Sequence, residues 1–173
     1  RIPVLPEYGD YILNPSFEAQ MRRASYKDAA VLIGFRDAGA EANVILTQRT
    51  AHLKSHGGQV SFPGGKIDPG DVSPEAAAIR EAQEEIGLDP ALVTPIGRLP
   101  DYLTGSGYRI KPILAQVAAE ARFAPNPDEV EAVFEVPLSH LMNLENHRRE
   151  AGSGRVSNGT ISRYSMWNAI YGV

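Results

Sequence analysis

The sequence predicts an α/β (α+β) fold in which a mixed β-sheet is covered by helices on both sides. Three observations predict it. Apolar runs of strand length recur along the chain, one long amphipathic helical pattern interrupts them near the middle, and a shorter helical pattern follows late. Residues 1–27 read as an irregular, Pro-rich extension with a short helix around Phe17 to Arg23. Ala29 to Phe35 is an apolar run of strand length, Asp37-Ala38-Gly39 is turn-like, and Asn43 to Gln48 makes the second arm of a hairpin. Gln59 to Phe62 reads as a short strand delivering a Phe62-Pro63-Gly64-Gly65 turn. The central helix starts at Pro74, with Ser73 as N-cap, Pro74 at the first helical position and Gly87 placed to end it in a left-handed conformation. Arg109 to Val117 and Val130 to Val136 read as strands, and Pro137 opens a short helix through Asn143. Gly152-Ser153-Gly154 and Asn158-Gly159 are turn signals before a last strand over Thr160 to Ser165. No internal repeat is visible.

Composition frames this reading. With 173 residues and 43% hydrophobic content, residues 1–173 are expected to form a single domain, large enough to build a core without staples. The chain contains no cysteine, so disulfides and thiolate chemistry are excluded and a reducing cytoplasm is the expected setting. No run approaches the roughly 18 apolar residues needed to cross a bilayer, so no membrane is expected. A net charge of −4 argues against nucleic acid or an anionic membrane as partner. Arg1 in place of Met suggests that an upstream segment is trimmed.

The chemistry is concentrated in Arg80-Glu81-Ala82-Gln83-Glu84-Glu85-Ile86-Gly87-Leu88. Glu81, Glu84 and Glu85 stand three and four residues apart, which a helix of 3.6 residues per turn gathers on one face. Carboxylates about 6 Å apart repel by roughly 3 kcal/mol per pair at an effective dielectric near 20, so a cation is expected among them. Hard oxygen donors suit Mg²⁺ or Mn²⁺. Ala78, Ile79, Ala82 and Ile86 form an apolar side pointing away from the acids. Arg80, four residues before Glu84, is positioned to pair with it, leaving Glu81 and Glu85 as the first candidates for metal ligands. A solvated helix with ordinary surface charges is the bland alternative; the glycine turn just before the helix argues against it.

This segment resembles the box of the Nudix hydrolase family. Arg80, Glu81, Ala82, Glu84, Glu85, Gly87 and Leu88 match its second half. The first half departs: the acid after Gly65 is Asp71, nine residues before Arg80 rather than eight, so the resemblance carries no metal-binding role to it and a bracing role is expected instead. A second block, Ile45-Leu46-Thr47-Gln48-Arg49 through His56-Gly57-Gly58-Gln59-Val60-Ser61-Phe62-Pro63-Gly64-Gly65, resembles the motif found upstream of the box in the coenzyme A pyrophosphatase branch, with Asp68 and Asp71 at that branch's acidic spacing. Thr50 and Lys54 depart from it; Lys54 replaces an Arg and lacks the planar fork that Arg offers a phosphate.

The resemblance implies an α/β/α sandwich and a metal-dependent pyrophosphohydrolase that splits coenzyme A or acyl-coenzyme A into phosphopantetheine and adenosine 3′,5′-bisphosphate products. Alternatives are a Nudix hydrolase of another nucleoside diphosphate derivative (ADP-ribose, a nucleotide sugar or a dinucleotide) and a noncatalytic Nudix-fold binding module, the latter disfavoured by retention of all three glutamates. The expected metal set is Glu81, Glu85, Glu84 and a backbone carbonyl of the turn, taken at Gly65. Glycines at 64 and 65 allow close backbone approach to metal and phosphate. Glu84 and Glu129 are the candidate general bases, with Arg80 in support. Arg49, Lys54, His56, Gln59 and Gly64 are candidate substrate contacts, against the simpler readings of a structural ion pair, a turn contact or an exposed loop histidine. Trp167 and Tyr171 read as late-helix core rather than adenine platforms. Dimers are common in the family, so a homodimer is an open expectation, and no apolar stripe marks its interface.

Overall fold

The computed structural model describes residues 6–13, 18–22, 25–37, 39–51, 58–147, 149–152 and 161–164. In chain order these form β1 (Tyr8–Gly9), α1 (Asp10–Leu13), α2 (Glu18–Met21), β2 (Lys27–Asp37), β3 (Ala42–Arg49), β4 (Val60–Ser61), β5 (Gly64–Lys66), α3 (Pro74–Ile86), β6 (Val93–Arg98), β7 (Tyr102–Leu103), β8 (Tyr108–Val117), β9 (Val130–Pro137), α4 (Leu138–Met142), β10 (Arg149–Gly152) and β11 (Ile161–Tyr164). Nine strands make one mixed sheet, and β10 pairs with β11 in a separate antiparallel ribbon.

The sheet is organised around β2. All of it but Asp37 pairs parallel with β8, Lys27 opposite Tyr108 through Arg36 opposite Val117. On its other side two strands share it: β3 pairs antiparallel at Phe35–Asp37, β5 at Ala29–Val31. Between those contacts the Leu32 N–H is satisfied by Pro63 O at 2.8 Å, so the glycine turn is fastened to the middle of the sheet. β3 runs on to pair with β9 and β4. β8 is shared in the same way, by β7 at Arg109–Ile110 and β6 at Ile113–Val117.

Alternation along β2 divides the core. Ala30 and Leu32 join Ala77, Ala78, Ala82 and Ile86 of α3 with Ile45, Ile113 and Val117 in one cluster. Ala29, Val31 and Ile33 face the opposite way, with Val44, Leu46, Phe62 and Ile110, covered in part by Leu138 and Leu141 of α4. The expected sheet with helices on both faces is therefore observed.

The local signals for α3 act as read. The Ser73 hydroxyl accepts from Ala76 N at 3.1 Å, Pro74 opens the helix, and Gly87 closes it at φ 65° with its N–H on the last-turn carbonyls. Expected strands at 29–35, 43–48, 109–117 and 130–136 appear with ends extended by up to two residues. β6 was not predicted: Pro95 and Gly97 break its pattern, and only an exposed edge strand with a bulge there tolerates them. The extension expected to be irregular carries β1, which pairs parallel with β7, and two one-turn helices, one of them within the predicted 17–23. No helix among the described residues is long and apolar enough to cross a membrane.

Candidate active site

The site is built where α3 passes beneath the turn that precedes it. Gly64 and Gly65 belong to β5, so their backbone is fixed against Val31 and Ala30 of β2. A Cβ on Gly64 would stand 2.4 Å from Ala30 O and 2.6 Å from Val31 Cα. A Cβ on Gly65 would fall 2.5 Å from the Glu81 carboxyl carbon, so the acid group lies directly on the glycine Cα. Only glycine permits both approaches.

The three glutamates of α3 share one side of the helix but not one environment. Glu84 is turned to solvent, its side chain 56% exposed, whereas that of Glu85 is 4% exposed and that of Glu81 16%. At about 100° per residue Glu85 flanks the apolar stripe, and the overlying turn closes it in among Ala82 and Ile86. The stripe therefore does not point well away from all the acids, a correction to the sequence reading. Glu85 Oε2 accepts from Gly64 N at 3.0 Å, and Oε1 lies 3.4 Å from Arg49 Nη1. Burial nevertheless pushes its carboxyl up to about 7, with Glu81 and Glu129 adding to the rise against the Gly64 N–H and Arg49. Burial likewise raises Glu81, against its contact with Arg80.

Arg80 is the brace of the helix. Its Nε and Nη2 grip both oxygens of Asp71 at 3.0 Å, Nη2 also reaches Lys66 O, and Nη1 is shared between Glu81 Oε1 and Glu84 Oε2, each at 3.0 Å. The predicted Arg80–Glu84 pair is therefore present. Asp71 also accepts from Asp68 N at 2.8 Å, and its bonds to Arg80 hold it below the usual carboxylate range. Through these bonds it braces the loop.

Glu129 arrives from the far side. Asn126 N donates to Glu85 O at 2.8 Å, its side-chain oxygen accepts from Asp128 N, and its Nδ2 is 3.4 Å from Glu129 Oε1. Thr50 N donates to Glu129 O at 3.0 Å, and Thr50 Oγ1 is 3.4 Å from Asp128 O. Sequence reasoning left out Asn126 and Thr50 as organisers of this corner; the Asn126-Pro127-Asp128 turn chemistry was the available signal. Arg49 is anchored by its backbone, its N–H on Gln59 O at 2.9 Å and its carbonyl accepting from Gly58 N at 3.0 Å, so Gln59 adjoins Arg49. Lys54, His56, Trp167 and Tyr171 lie outside the described residues.

Among the described residues no three acidic or histidine side chains stand arranged as a ready-made cation cage. The donors present nonetheless suit a hard divalent ion. Two desolvated carboxylates on neighbouring turns, each raised by burial and by Glu129, carry charge at a cost that such an ion would offset, and the Gly65 Cα leaves their approach open. Glu84 stands at the exposed rim of this pair.

A mixed sheet carrying a glycine turn above a helix tethered to it by a buried carboxylate defines an α+β protein with a loop-and-helix site. The chain belongs to the NUDIX domain family, whose model matches residues 25–155. It is 36% identical over 154 residues to the uncharacterized Nudix hydrolase NudL of Escherichia coli K12, across 86% of this chain and 80% of that protein. Its fold is similar to the Nudix hydrolase RenU of M. smegmatis (TM-score 0.57, 25% identity, 68% of this chain and 74% of that one). It also resembles a C. elegans Ap4A hydrolase (TM-score 0.54, 23% identity, 66% and 83%), a likeness of fold alone.

Proposed function

We propose that the chain is a Mg²⁺- or Mn²⁺-dependent pyrophosphohydrolase of coenzyme A or an acyl-coenzyme A. The observation that carries the hydrolytic reading is the pair Glu81 and Glu85, desolvated and held against Gly65 and Gly64. Glu81, Glu85 and the Gly65 backbone would hold the cation, with Glu84 at the rim as a further donor. When bound, such an ion neutralises diphosphate oxygens and acidifies water. The chain's own groups do the rest. Arg80 orients Glu81 by a charge-assisted bond and ties the helix to the loop through Asp71. Gly64 N–H fixes one oxygen of Glu85, which keeps the other turned towards Arg49. Arg49 and Gln59 form the flank that would receive the diphosphate, with Lys54 and His56 from the adjoining segment. Glu129, oriented by Asn126, is the general base in this reading.

The coenzyme A assignment is supported by the block from Ile45 to Gly65 and its resemblance to that branch. Thr50 and Lys54 depart from the branch pattern, which keeps another nucleoside diphosphate derivative as the second reading. A metal-dependent hydrolysis panel decides between them: coenzyme A, ADP-ribose, a dinucleoside polyphosphate and nucleoside triphosphates, with products identified by mass. Rapid cleavage of coenzyme A is expected; rapid cleavage of ADP-ribose with coenzyme A untouched rejects the branch. Glu129→Gln is expected to lower kcat by about 10²-fold with the fold intact, the usual scale for a general base. Unchanged turnover removes Glu129 from the mechanism.

A further inference from the structure

Arg49 occupies an unusual position for a structural ion pair. Among the described residues its guanidinium is the one cationic group within ion-pair distance of Glu85. The contact is loose, a single Nη1 at 3.4 Å from Oε1, where arginine and carboxylate commonly form two parallel bonds. Arg49 Nε is buried and has no hydrogen-bond partner among the described residues. What fixes the residue is its backbone: the bonds to Gln59 and Gly58, and the register shift between Gln48 and Arg49 where β3 meets the start of β9. The guanidinium is thus delivered to the acidic site with its Nε donor still unused, in a place where an orphaned donor is costly.

We propose that Arg49 is a resident counter-ion that exchanges partners. It neutralises Glu85 in the metal-free protein and turns to phosphate oxygens of the substrate once a divalent cation takes over that carboxylate. This rests on the reading of Glu85 as a metal ligand. Arg49 and the cation compete for Glu85, so the ion binds weakly to the free protein. A diphosphate supplies the anion that Arg49 then needs, with the unpartnered Nε free to donate to it once Nη1 leaves Glu85. Metal and substrate therefore bind cooperatively, and without substrate the ion is held only weakly.

Mn²⁺ titration followed by electron paramagnetic resonance, without substrate at pH 8, tests this on the wild type and on Arg49→Met, Arg49→Gln, Arg49→Lys and Glu85→Gln. Removal of the positive charge is expected to tighten Mn²⁺ about tenfold in the Met and Gln variants. The Lys variant, which keeps the charge, should stay within about twofold of wild type. A merely structural Arg49 predicts equal or weaker binding in all three. That result, with Glu85→Gln still weakening Mn²⁺, overturns the exchange and leaves the site reading standing. A wild type whose Mn²⁺ binding is insensitive to Glu85→Gln overturns both. Should the uncharged variants fail to fold, the ¹⁵N resonance of Arg49 Nε, assigned by its loss in Arg49→Lys, decides the question in the wild type. It is expected to shift on Mg²⁺ addition, and an unmoved resonance rejects the exchange.

Discussion

Replacing Glu85 by glutamine is expected to reduce hydrolysis by about a thousandfold or more while making the metal-free protein more stable at alkaline pH. The first effect follows from removing a charged donor at the point where diphosphate charge must be offset. The second follows from linkage. In the folded protein the Glu85 carboxyl is pushed up to about 7, against an ordinary 4.5 in the unfolded chain. A raised carboxyl contributes stability that is fully present below the unfolded value and is lost as pH rises through the folded one. Metal-free wild type therefore loses this contribution between about pH 4.5 and 7, and the variant has none to lose. Glutamine keeps an acceptor for Gly64 N, so the variant's advantage at pH 8.5 should be about 2 kcal/mol, part of the gain being offset by an unpaired Arg49. Thermal melts at pH 5 and 8.5 in chelator measure it. An advantage at pH 5 that vanishes at pH 8.5 would reverse the sign and reject the account.

Alanine at the two turn glycines should separate folding from chemistry. At position 64 the new methyl meets backbone on two sides, Ala30 O and Val31 Cα, neither able to yield without breaking the β5–β2 pairing. A loss of about 3 kcal/mol or more is expected, with much of the protein insoluble or melting early. At position 65 the obstacle is the tip of the Glu81 side chain, which can swing aside. Gly65→Ala should therefore keep a melting temperature within a few degrees of wild type yet lose at least a hundredfold in turnover, on the scale of a displaced catalytic group. Equal melting temperatures for both variants would contradict the placement of β5.

What the sequence disclosed was mostly local. Ser73, Pro74 and Gly87 mark the ends of α3 because caps act through neighbours in the chain. The long strands β2, β3, β8 and β9 were legible from their apolar runs. β1, β5 and β7, of two or three residues, are too short to show any period, and β6 is disguised by Pro95 and Gly97. At the site, the helical wheel brought Glu81, Glu84 and Glu85 to one side but could not show that the turn roofs over Glu85 and leaves Glu84 outside. That depends on β5 pairing with β2, some thirty-five residues earlier in the chain. Asp71 as a brace was expected, and its grip by Arg80 is observed. The links of Glu129 to Thr50 and of Asn126 to Glu85 are non-local and had no sequence signature beyond a turn.

The pair of backbone bonds at Arg49, one to Gln59 and one from Gly58, clips the chain shut at the base of the segment that carries Lys54 and His56. Lengthening a closed loop adds entropy cost only logarithmically, roughly 0.6 kcal/mol per doubling. The clip thus holds β3 against β4 whatever the length of chain that joins them.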